Sequence, residues 1–411
     1  MPAFLSWMLV ASALGFIKVM ALAKLMPPAS FGNYGTVLGV AILSATLLSA
    51  GKVEGTIKFY PRLWVAGDLA GTRQHAVGVA GTLTWRFALV VGLLCLAATL
   101  FDIGYSPWVF LIGGLLGFAN ALATVMASLI RATGSARLLQ SFSFRRAAIA
   151  LPLSCGLGVT AGWTGALVGD AVATALTLVT CARAVGRHFP AGEGPTPTDH
   201  GGGVRLYIAT LFSSTTGLAD RAIVNLALGP AAAGAYGVIA LMVQVGQLTS
   251  NIVAQRVGPA VIKAFHSGEG RGTGLRTLVV PCTGLVALAV LLIGAMLAMW
   301  RFDLPPGFLS DYGIGPMAIW LGGALVALQI FSLMEFLLIA RDQERYILLA
   351  GGVAAGAFFA LFGLAAFMHW PVEAFIAAAV KARGLHVALL IVLTRRATHR
   401  IAAGGGSDGR A

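Results

Sequence analysis

The sequence predicts an all-α integral membrane protein, with about twelve transmembrane helices in two parallel six-helix lobes around a central cavity. Hydrophobic residues make up 58% of the chain, charged residues make up only 10%, and the mean hydropathy is +0.87. A soluble globular domain carries about 25% charged residues. A chain this apolar cannot cover itself with polar surface, so lipid must be its solvent.

Apolar runs of about 20 residues, the length that crosses the hydrocarbon core as a helix, recur along the whole chain. We place the spans at 3–25, 34–51, 76–100, 107–130, 145–162, 164–186, 204–228, 232–255, 275–300, 314–340, 346–368 and 371–394. Only Gly162, Trp163 and Thr164 separate the fifth span from the sixth. The first span lacks a basic n-region and a small-residue cleavage site, so we expect it to be a retained helix.

The basic residues alternate from loop to loop. The loop after the second span holds Lys52, Lys58, Arg62 and Arg73, and the other even-numbered loops are similarly basic. The odd-numbered loops hold almost no basic residues. This asymmetry predicts that the even-numbered loops and both termini are cytoplasmic. Topology and attraction to anionic lipid heads account for the net charge of +13, and we predict no nucleic-acid binding.

A short phrase occurs twice in the chain. The sequence PASFGNYG at 28–35 returns as PAAAGAYG at 230–237, and AGDLAGT at 66–72 returns in the same order as SGEGRGT at 267–273. Two matched landmarks indicate duplication and fusion of one six-span unit. Because six is an even number, both halves enter the membrane from the same side, which is the parallel-repeat arrangement.

The segment at 187–203 is rich in Pro and Gly and is predicted to be a flexible cytoplasmic linker. It divides the twelve spans six and six. We therefore predict an N-terminal lobe at 1–186, a C-terminal lobe at 204–395 and a cytoplasmic tail at 396–411.

Each residue type of the repeated phrase has a local physical role. Proline suits the first turn of a helix, where its missing N–H is not needed, and the glycines let a partner helix approach closely. We expect Tyr34 and Tyr236 to lie at the outer membrane interface, where an amphipathic ring is favoured. The phrase is compatible with a gate hinge and with a tight helical hairpin.

Residues 14–51, with KLMPPASFGNYG and AGKVEG, resemble the start of the O-antigen and polysaccharide flippase family. The segment GLADRAIVNLALGPAAAGAYG at 217–237 resembles the seventh-helix pattern of that family. Its superfamily also contains multidrug and toxin extrusion antiporters and lipid II flippases. Two C-terminal spans found in some members are absent here, which weighs against a lipid II flippase.

The resemblance implies a carrier of the bacterial inner membrane. Its substrate would be an undecaprenyl-pyrophosphate-linked oligosaccharide, which moves from the inner to the outer leaflet as the two lobes rock. Membrane lipids and polysaccharide assembly proteins would be its partners, and no cofactor is implied.

Charged residues inside the spans require an explanation, because each costs about 2.5–3.5 kcal/mol at mid-bilayer. A pyrophosphate must cross with its charge, and cations lining a cavity would supply the counter-charge. We predict the substrate-binding residues to be Lys18, Arg86, Arg221 and Lys381, and the gating or coupling residues to be Asp220, Lys24 and Asp170.

The repeat suggests one specific ion pair. At the offset that aligns the two phrases, Lys18 corresponds to Asp220. We hypothesise that the two side chains meet when the outer side is closed and part when it opens. In the competing interpretation, Asp220 serves Arg221 or a neighbouring helix, and Lys18 is a substrate cation.

Several charges also have local explanations. Lys24 can snorkel from the end of its span, and Glu335 can pair with Arg341. Lys381 and Arg383 are two residues apart and cannot share a helix face. Either one of them faces the headgroups or the helix breaks at Gly384.

Two other classes compete with a flippase. An ion-coupled antiporter of small molecules would need acids deep in the first lobe, where the sequence offers the cations Lys18 and Arg86, with Asp170 near a span end. A membrane enzyme of polysaccharide assembly would need a large extracytoplasmic loop, but the longest runs only from about Arg301 to Ile314. The sequence contains no HExxH or P-loop motif, and its GxSxG string at 405–409 lies in the polar C-terminal tail and not at a strand-to-helix turn. We therefore predict a protein that is not an enzyme and holds no metal.

Overall fold

The computed structural model describes residues 2–101, 106–133, 135–190, 192, 203–266, 271–335, 338 and 343–404. Two compact units divide the chain, Met1–Gly234 and Ala235–Ala411. The first contains α1 (Pro2–Leu25), α2 (Pro28–Ser49), α3 (Lys52–Val65), α4 (Leu69–Leu100), α5 (Pro107–Ala132), α6 (Ala136–Gly186), α7 (Gly203–Leu228) and the first turn of α8 (Pro230–His266). The second contains the rest of α8, α9 (Arg271–Phe302), α10 (Phe308–Asp311), α11 (Pro316–Gln329), α12 (Glu344–Phe367) and α13 (Val372–Gly404).

Each of the twelve predicted spans overlaps a helix in the described part of the chain, which confirms the all-helical fold class. Seven helices in the described part of the chain are long and apolar enough to cross a membrane, and α11 is a shorter apolar helix. The compact units divide at Gly234, beyond α7, because α7 packs against α2 and α3. The boundary between the two duplicated halves, which we placed in the segment at 187–203, stays a prediction.

The fifth and sixth spans form one helix that kinks at Ala161 and Gly162. Gly162 has φ 65° and ψ −155°, a conformation open essentially to glycine alone. The two halves then pack closely on each other. A Cβ on Gly165 would overlap the Leu157 carbonyl oxygen, and one on Gly169 would lie 2.6 Å from the Ser154 Cα. The kink therefore places the residues around 154 directly against those around 170.

Helix α3 was not predicted. The sequence after the second span was assigned to a cytoplasmic loop, but residues 52–65 form an amphipathic helix. Its buried residues Val53, Thr56 and Tyr60 recur along one face, and the helix packs against α5 and α7. A fourteen-residue helix whose sequence includes Lys52, Glu54, Lys58 and Arg62 carries too weak a hydropathy signal to be detected as a span.

The start of the predicted linker is packed against the first unit. Phe189 is only 2% exposed, and its ring contacts the edge of Trp64 at a centroid distance of 5.5 Å. Arg73 donates a hydrogen bond to the Phe189 carbonyl oxygen at 3.3 Å. The first residues of the segment therefore pack against the first unit, the flexible linker stays a prediction, and residues 193–202 lie outside the described residues.

The tenth span is not a continuous helix. Helix α11 ends at Gln329 and is followed by a 3₁₀ segment at Ile330–Met334. The predicted span at 314–340 missed this change because both conformations accept the same apolar sequence. In contrast, α13 runs unbroken through Gly384, so the predicted alternative of a break at that glycine is wrong.

Candidate functional site

The Asp170 carboxylate lies at the centre of a buried polar cluster in the first unit. Its Oδ1 accepts hydrogen bonds from Lys18 Nζ at 2.6 Å and from Ser154 Oγ at 2.8 Å. Its Oδ2 accepts a third from the Tyr34 hydroxyl at 2.7 Å. One carboxylate thus joins α1, α2 and both halves of α6.

Glycines on α6 position this cluster. Gly169 allows the second half of α6 to approach Ser154, which brings Asp170 next to the Ser154 hydroxyl. Gly158 allows α1 to pack closely against α6. A Cβ at this position would lie 2.8 Å from Met26 Cε and 3.1 Å from Leu22 Cδ2. Leu22 lies one turn after Lys18, so this contact places Lys18 against α6.

Tyr34 shows how the repeated phrase contributes to the site. The side chain is 1% exposed and donates its hydroxyl to Asp170, so it is buried inside the first unit and does not face the lipid headgroups as expected. Tyr236, its counterpart in the second unit, is 4% exposed, and its ring contacts Phe362 edge to face. Both tyrosines are therefore buried inside their own units, Tyr34 as a hydrogen-bond donor and Tyr236 in an aromatic contact.

Lys18 and Asp170 form an ion pair whose side chains are 13% and 8% exposed. A buried ion pair must overcome the desolvation of both groups, and it does so best when further hydrogen bonds satisfy the carboxylate. Tyr34 and Ser154 supply those bonds here. Lys18 therefore pairs with Asp170 in this conformation, and the predicted Lys18–Asp220 pair is not formed.

Two further groups act on Asp170 electrostatically, Arg146 and Cys155, both on the first half of α6. The Arg146 guanidinium donates a short hydrogen bond to the Asn120 side-chain oxygen in the middle of α5. The sequence analysis missed Arg146, because it was assigned to the basic loop at the edge of the fifth span. The described helix begins ten residues earlier, at Ala136, and carries Arg146 into the packed interior.

Arg221 lies on α7 next to α2 and is 8% exposed. A Cβ on Gly35 would lie 3.4 Å from Arg221 Nη1, so this glycine makes room for the guanidinium. Within the described part of the chain, the Arg221 guanidinium makes no hydrogen bond and no ion pair. The Asp220 carboxylate accepts a hydrogen bond from the Arg221 backbone N–H at 2.7 Å, and its role in gating or coupling stays a prediction.

Arg86 caps the end of α2. Its Nη1 donates to the carbonyl oxygens of Leu48 at 2.9 Å and Ser49 at 3.2 Å. The chain turns there through Ala50, whose φ is 44°. These bonds satisfy carbonyls left open by the helix terminus. They give Arg86 a structural role that the sequence prediction of a substrate cation did not include.

The other predicted residues are dispersed. Lys24 is exposed in the last turn of α1, and Lys381 is exposed on α13 in the second unit. The predicted partner of Glu335, Arg341, lies outside the described residues. Glu335 Oε1 instead lies 3.3 Å from His386 Nε2, in a side-chain pair that also interacts electrostatically with Arg383.

No family model matches the sequence, and no curated protein matches it. Solved structures do. An outward-facing multidrug resistance MATE family transporter of the MOP superfamily is 13% identical with a TM-score of 0.68, over 97% of this chain and 94% of that chain. The lipid II flippase MurJ in an inward closed conformation is 13% identical with a TM-score of 0.67, over 96% of this chain and 88% of that chain.

A MOP superfamily transporter from Pyrococcus furiosus is 12% identical with a TM-score of 0.62, over 97% of this chain and 94% of that chain. The description of that structure states that the reverse polarity of its binding pocket suggests a different function. Identities this low establish the fold alone. This protein has the all-helical, two-lobed fold of the MOP superfamily transporters.

Proposed function

We propose that this protein is a multi-pass transporter of the bacterial inner membrane with both termini in the cytoplasm. Its substrate is an undecaprenyl-pyrophosphate-linked oligosaccharide, an O-antigen or exopolysaccharide repeat unit, which it moves to the outer leaflet by alternating access. The fold it shares with transporters, including the lipid II flippase MurJ, supports this proposal. The sequence resemblance to O-antigen flippases supports the substrate class.

The observation that carries the proposal is the Arg221 guanidinium, which lies mostly buried on α7 beside α2 and for which the described residues supply no side-chain acceptor. Its N–H groups are therefore available to an acceptor that a ligand brings. The planar fork of a guanidinium matches the oxygens of a phosphate and can bind two of them at once. A diphosphate is therefore a chemically suitable ligand for Arg221.

Lys18 is the second cation of the proposed substrate site. Its side chain retains 13% exposure, and we propose that its ammonium reaches the ligand. The Arg86 guanidinium is hydrogen-bonded to the end of α2. We therefore do not include Arg86 among the proposed substrate-binding residues. Lys381 stays in the proposal as an exposed cation of the second unit, and Asp170, Asp220 and Lys24 stay as candidates for gating or coupling.

Purified protein in sealed vesicles provides the test. A fluorescent prenyl diphosphate oligosaccharide is placed in one leaflet, and its appearance in the other leaflet is followed by quenching from outside. Wild-type protein should move the lipid, and Arg221→Ala should slow it at least about tenfold, the loss of one charge-assisted contact. Arg301→Ala, at the exposed end of α9, is the matched control and should transport normally. No movement by wild-type protein would overturn the proposal.

The Asp170 cluster favours a second candidate, an ion-coupled antiporter of small molecules. A buried carboxylate held by Lys18, Tyr34 and Ser154 can exchange its tethered ammonium for a proton or a metal cation. In the same vesicles, an antiporter would expel a cationic dye when a proton or sodium gradient is imposed. Dye efflux together with a stationary prenyl diphosphate oligosaccharide would favour this candidate over the flippase.

A further inference from the structure

We infer that Arg146 on α6 binds the diphosphate of the substrate and that Asn120 on α5 positions its guanidinium. This inference rests on the proposed function, since it requires an anionic ligand. It adds to Lys18 and Arg221 a third cation, one that no sequence pattern indicated, and it places that cation at a different depth in the first unit.

Arg146 is a charged side chain inside the first unit whose hydrogen-bond partner is neutral. The residue is half-buried, and its guanidinium donates to the Asn120 side-chain oxygen. No carboxylate of the described residues lies within ion-pair distance of Arg146, and Asp170 acts on it only from farther away. A guanidinium has five N–H donors, so the bond to Asn120 leaves donors for an acceptor that a ligand brings.

Asn120 is itself held in one orientation. Its Nδ2 donates to the Leu116 carbonyl oxygen at 2.9 Å, one turn earlier on α5, while its Oδ1 accepts from Arg146. Rotation of the amide by half a turn would bring its NH₂ group against the guanidinium, where two donors would meet. A neutral amide therefore fixes the position of Arg146 without neutralising its charge, as a carboxylate partner would.

The kink in α6 sets the depth of Arg146. The two halves of α6 fold back on each other at Gly162, so that Ser154 lies beside Asp170. Arg146 precedes Ser154 by eight residues, which places its Cα about 12 Å farther from the kink along the helix axis. In the predicted topology the kink faces the outer side, so a ligand from the inner leaflet meets Arg146 before it meets Lys18.

The chemistry of this position suits a diphosphate. A charged side chain inside a membrane protein faces the bundle interior or a water-filled cavity and marks the pathway of an ion or a charged substrate. The guanidinium fork can bind two phosphate oxygens at once. Arg146 would receive the diphosphate from the inner leaflet, and Lys18 and Arg221 would hold it farther along the first unit.

Binding of two lipids to purified protein tests the inference. One is a prenyl diphosphate oligosaccharide, and the other is the same prenyl oligosaccharide with an uncharged ether link. Arg146→Gln keeps a donor for Asn120 but removes the charge, so it should weaken binding of the diphosphate lipid at least about tenfold and leave the ether lipid unaffected. Arg145→Gln, at the exposed neighbouring arginine, is the matched control and should bind both lipids as wild type does. Equal losses for both lipids would show that Arg146 is a structural contact and would overturn the inference.

Asn120→Asp provides a second variant in case Arg146→Gln does not fold. The new side chain has nearly the same shape and keeps the contact between α5 and α6, but its carboxylate neutralises the guanidinium. It should also weaken binding of the diphosphate lipid about tenfold and leave the ether lipid unaffected. If both variants keep the wild-type preference while Arg221→Ala loses it, this inference is overturned and the proposed function stands. If wild-type protein shows no preference for the diphosphate, both are overturned.

Discussion

Gly32 of α2 lies directly against the backbone of Pro230 at the start of α8, so the two copies of the repeated phrase pack on each other. A Cβ on Gly32 would overlap the Pro230 carbonyl oxygen and would lie 2.8 Å from the Gly234 nitrogen. All three residues belong to the first unit. The close approach explains why the phrase has glycine at this position: no side chain fits between the two backbones.

This packing predicts that Gly32→Ala destabilises the protein. The added methyl group meets backbone, which cannot move aside as a flexible side chain can, so we expect a loss of about 1–3 kcal/mol in the free energy of unfolding. Thermal unfolding of purified protein in detergent measures the change. Gly15→Ala on α1 is the control, since nothing lies within 4 Å of its added Cβ. Equal stability of the two variants would contradict the predicted contact.

The Lys18–Asp170 pair predicts a strong coupling in a double-mutant cycle. Lys18→Ala leaves a buried carboxylate without its counter-ion, and loss of one partner of a buried pair typically costs about 3–5 kcal/mol. The double variant Lys18→Ala/Asp170→Asn should recover part of that loss, because no unpaired charge is then buried. Unfolding free energies of the four proteins test this prediction. Strictly additive losses would show that the two groups do not interact.

Substitutions of Arg86 and of Arg221 should have opposite effects, the first on stability and the second on transport. Arg86→Ala removes the donor for two carbonyl oxygens at the end of α2, so we expect about 1–3 kcal/mol of lost stability. Transport per folded molecule should be unchanged. Arg221→Ala should show the opposite pattern, with transport lost and unfolding little changed. Impaired transport by a stable Arg86→Ala protein would return Arg86 to the substrate site.

The positive-inside asymmetry predicts that the linker and the outer loop lie on opposite sides of the membrane. Single cysteines at Thr196 and Ser310, in a background without the four native cysteines, should react with a membrane-impermeant reagent from opposite sides. Thr196 should be labelled only after the inner face is opened, and Ser310 should be labelled in intact cells. Labelling of both from the same side would contradict the six-plus-six topology.

The sequence predicted the helices well because hydropathy depends on composition along the chain. The twelve predicted spans follow from apolar runs, and even the boundary near Gly162 was visible as a three-residue gap between two of them. The hydropathy of the sequence could not predict α3, because a fourteen-residue segment that contains four charged residues resembles a loop. Arg146 was misplaced for a similar reason, since its helix starts before the apolar run does.

Side-chain partners were harder to predict than helices. The repeat suggested that Lys18 meets Asp220, yet Lys18 bonds to Asp170. An offset between repeats fixes which helices correspond, but the rotation of each helix decides which side chains meet. That rotation depends on contacts such as Gly158 with Leu22 and Gly169 with Ser154, which no single-sequence pattern reveals. Tyr34 was placed at the interface for the same reason.

The proposed function depends on the negative charge of the ligand, and a comparison of two lipids tests this dependence most directly. Binding of a prenyl diphosphate oligosaccharide to purified wild-type protein is measured beside binding of the same prenyl oligosaccharide with an uncharged ether link. We predict at least about tenfold tighter binding of the diphosphate, with most of the difference lost in Arg221→Ala. Equal affinity for the two lipids, or an unchanged preference in Arg221→Ala, would contradict the proposed anionic substrate.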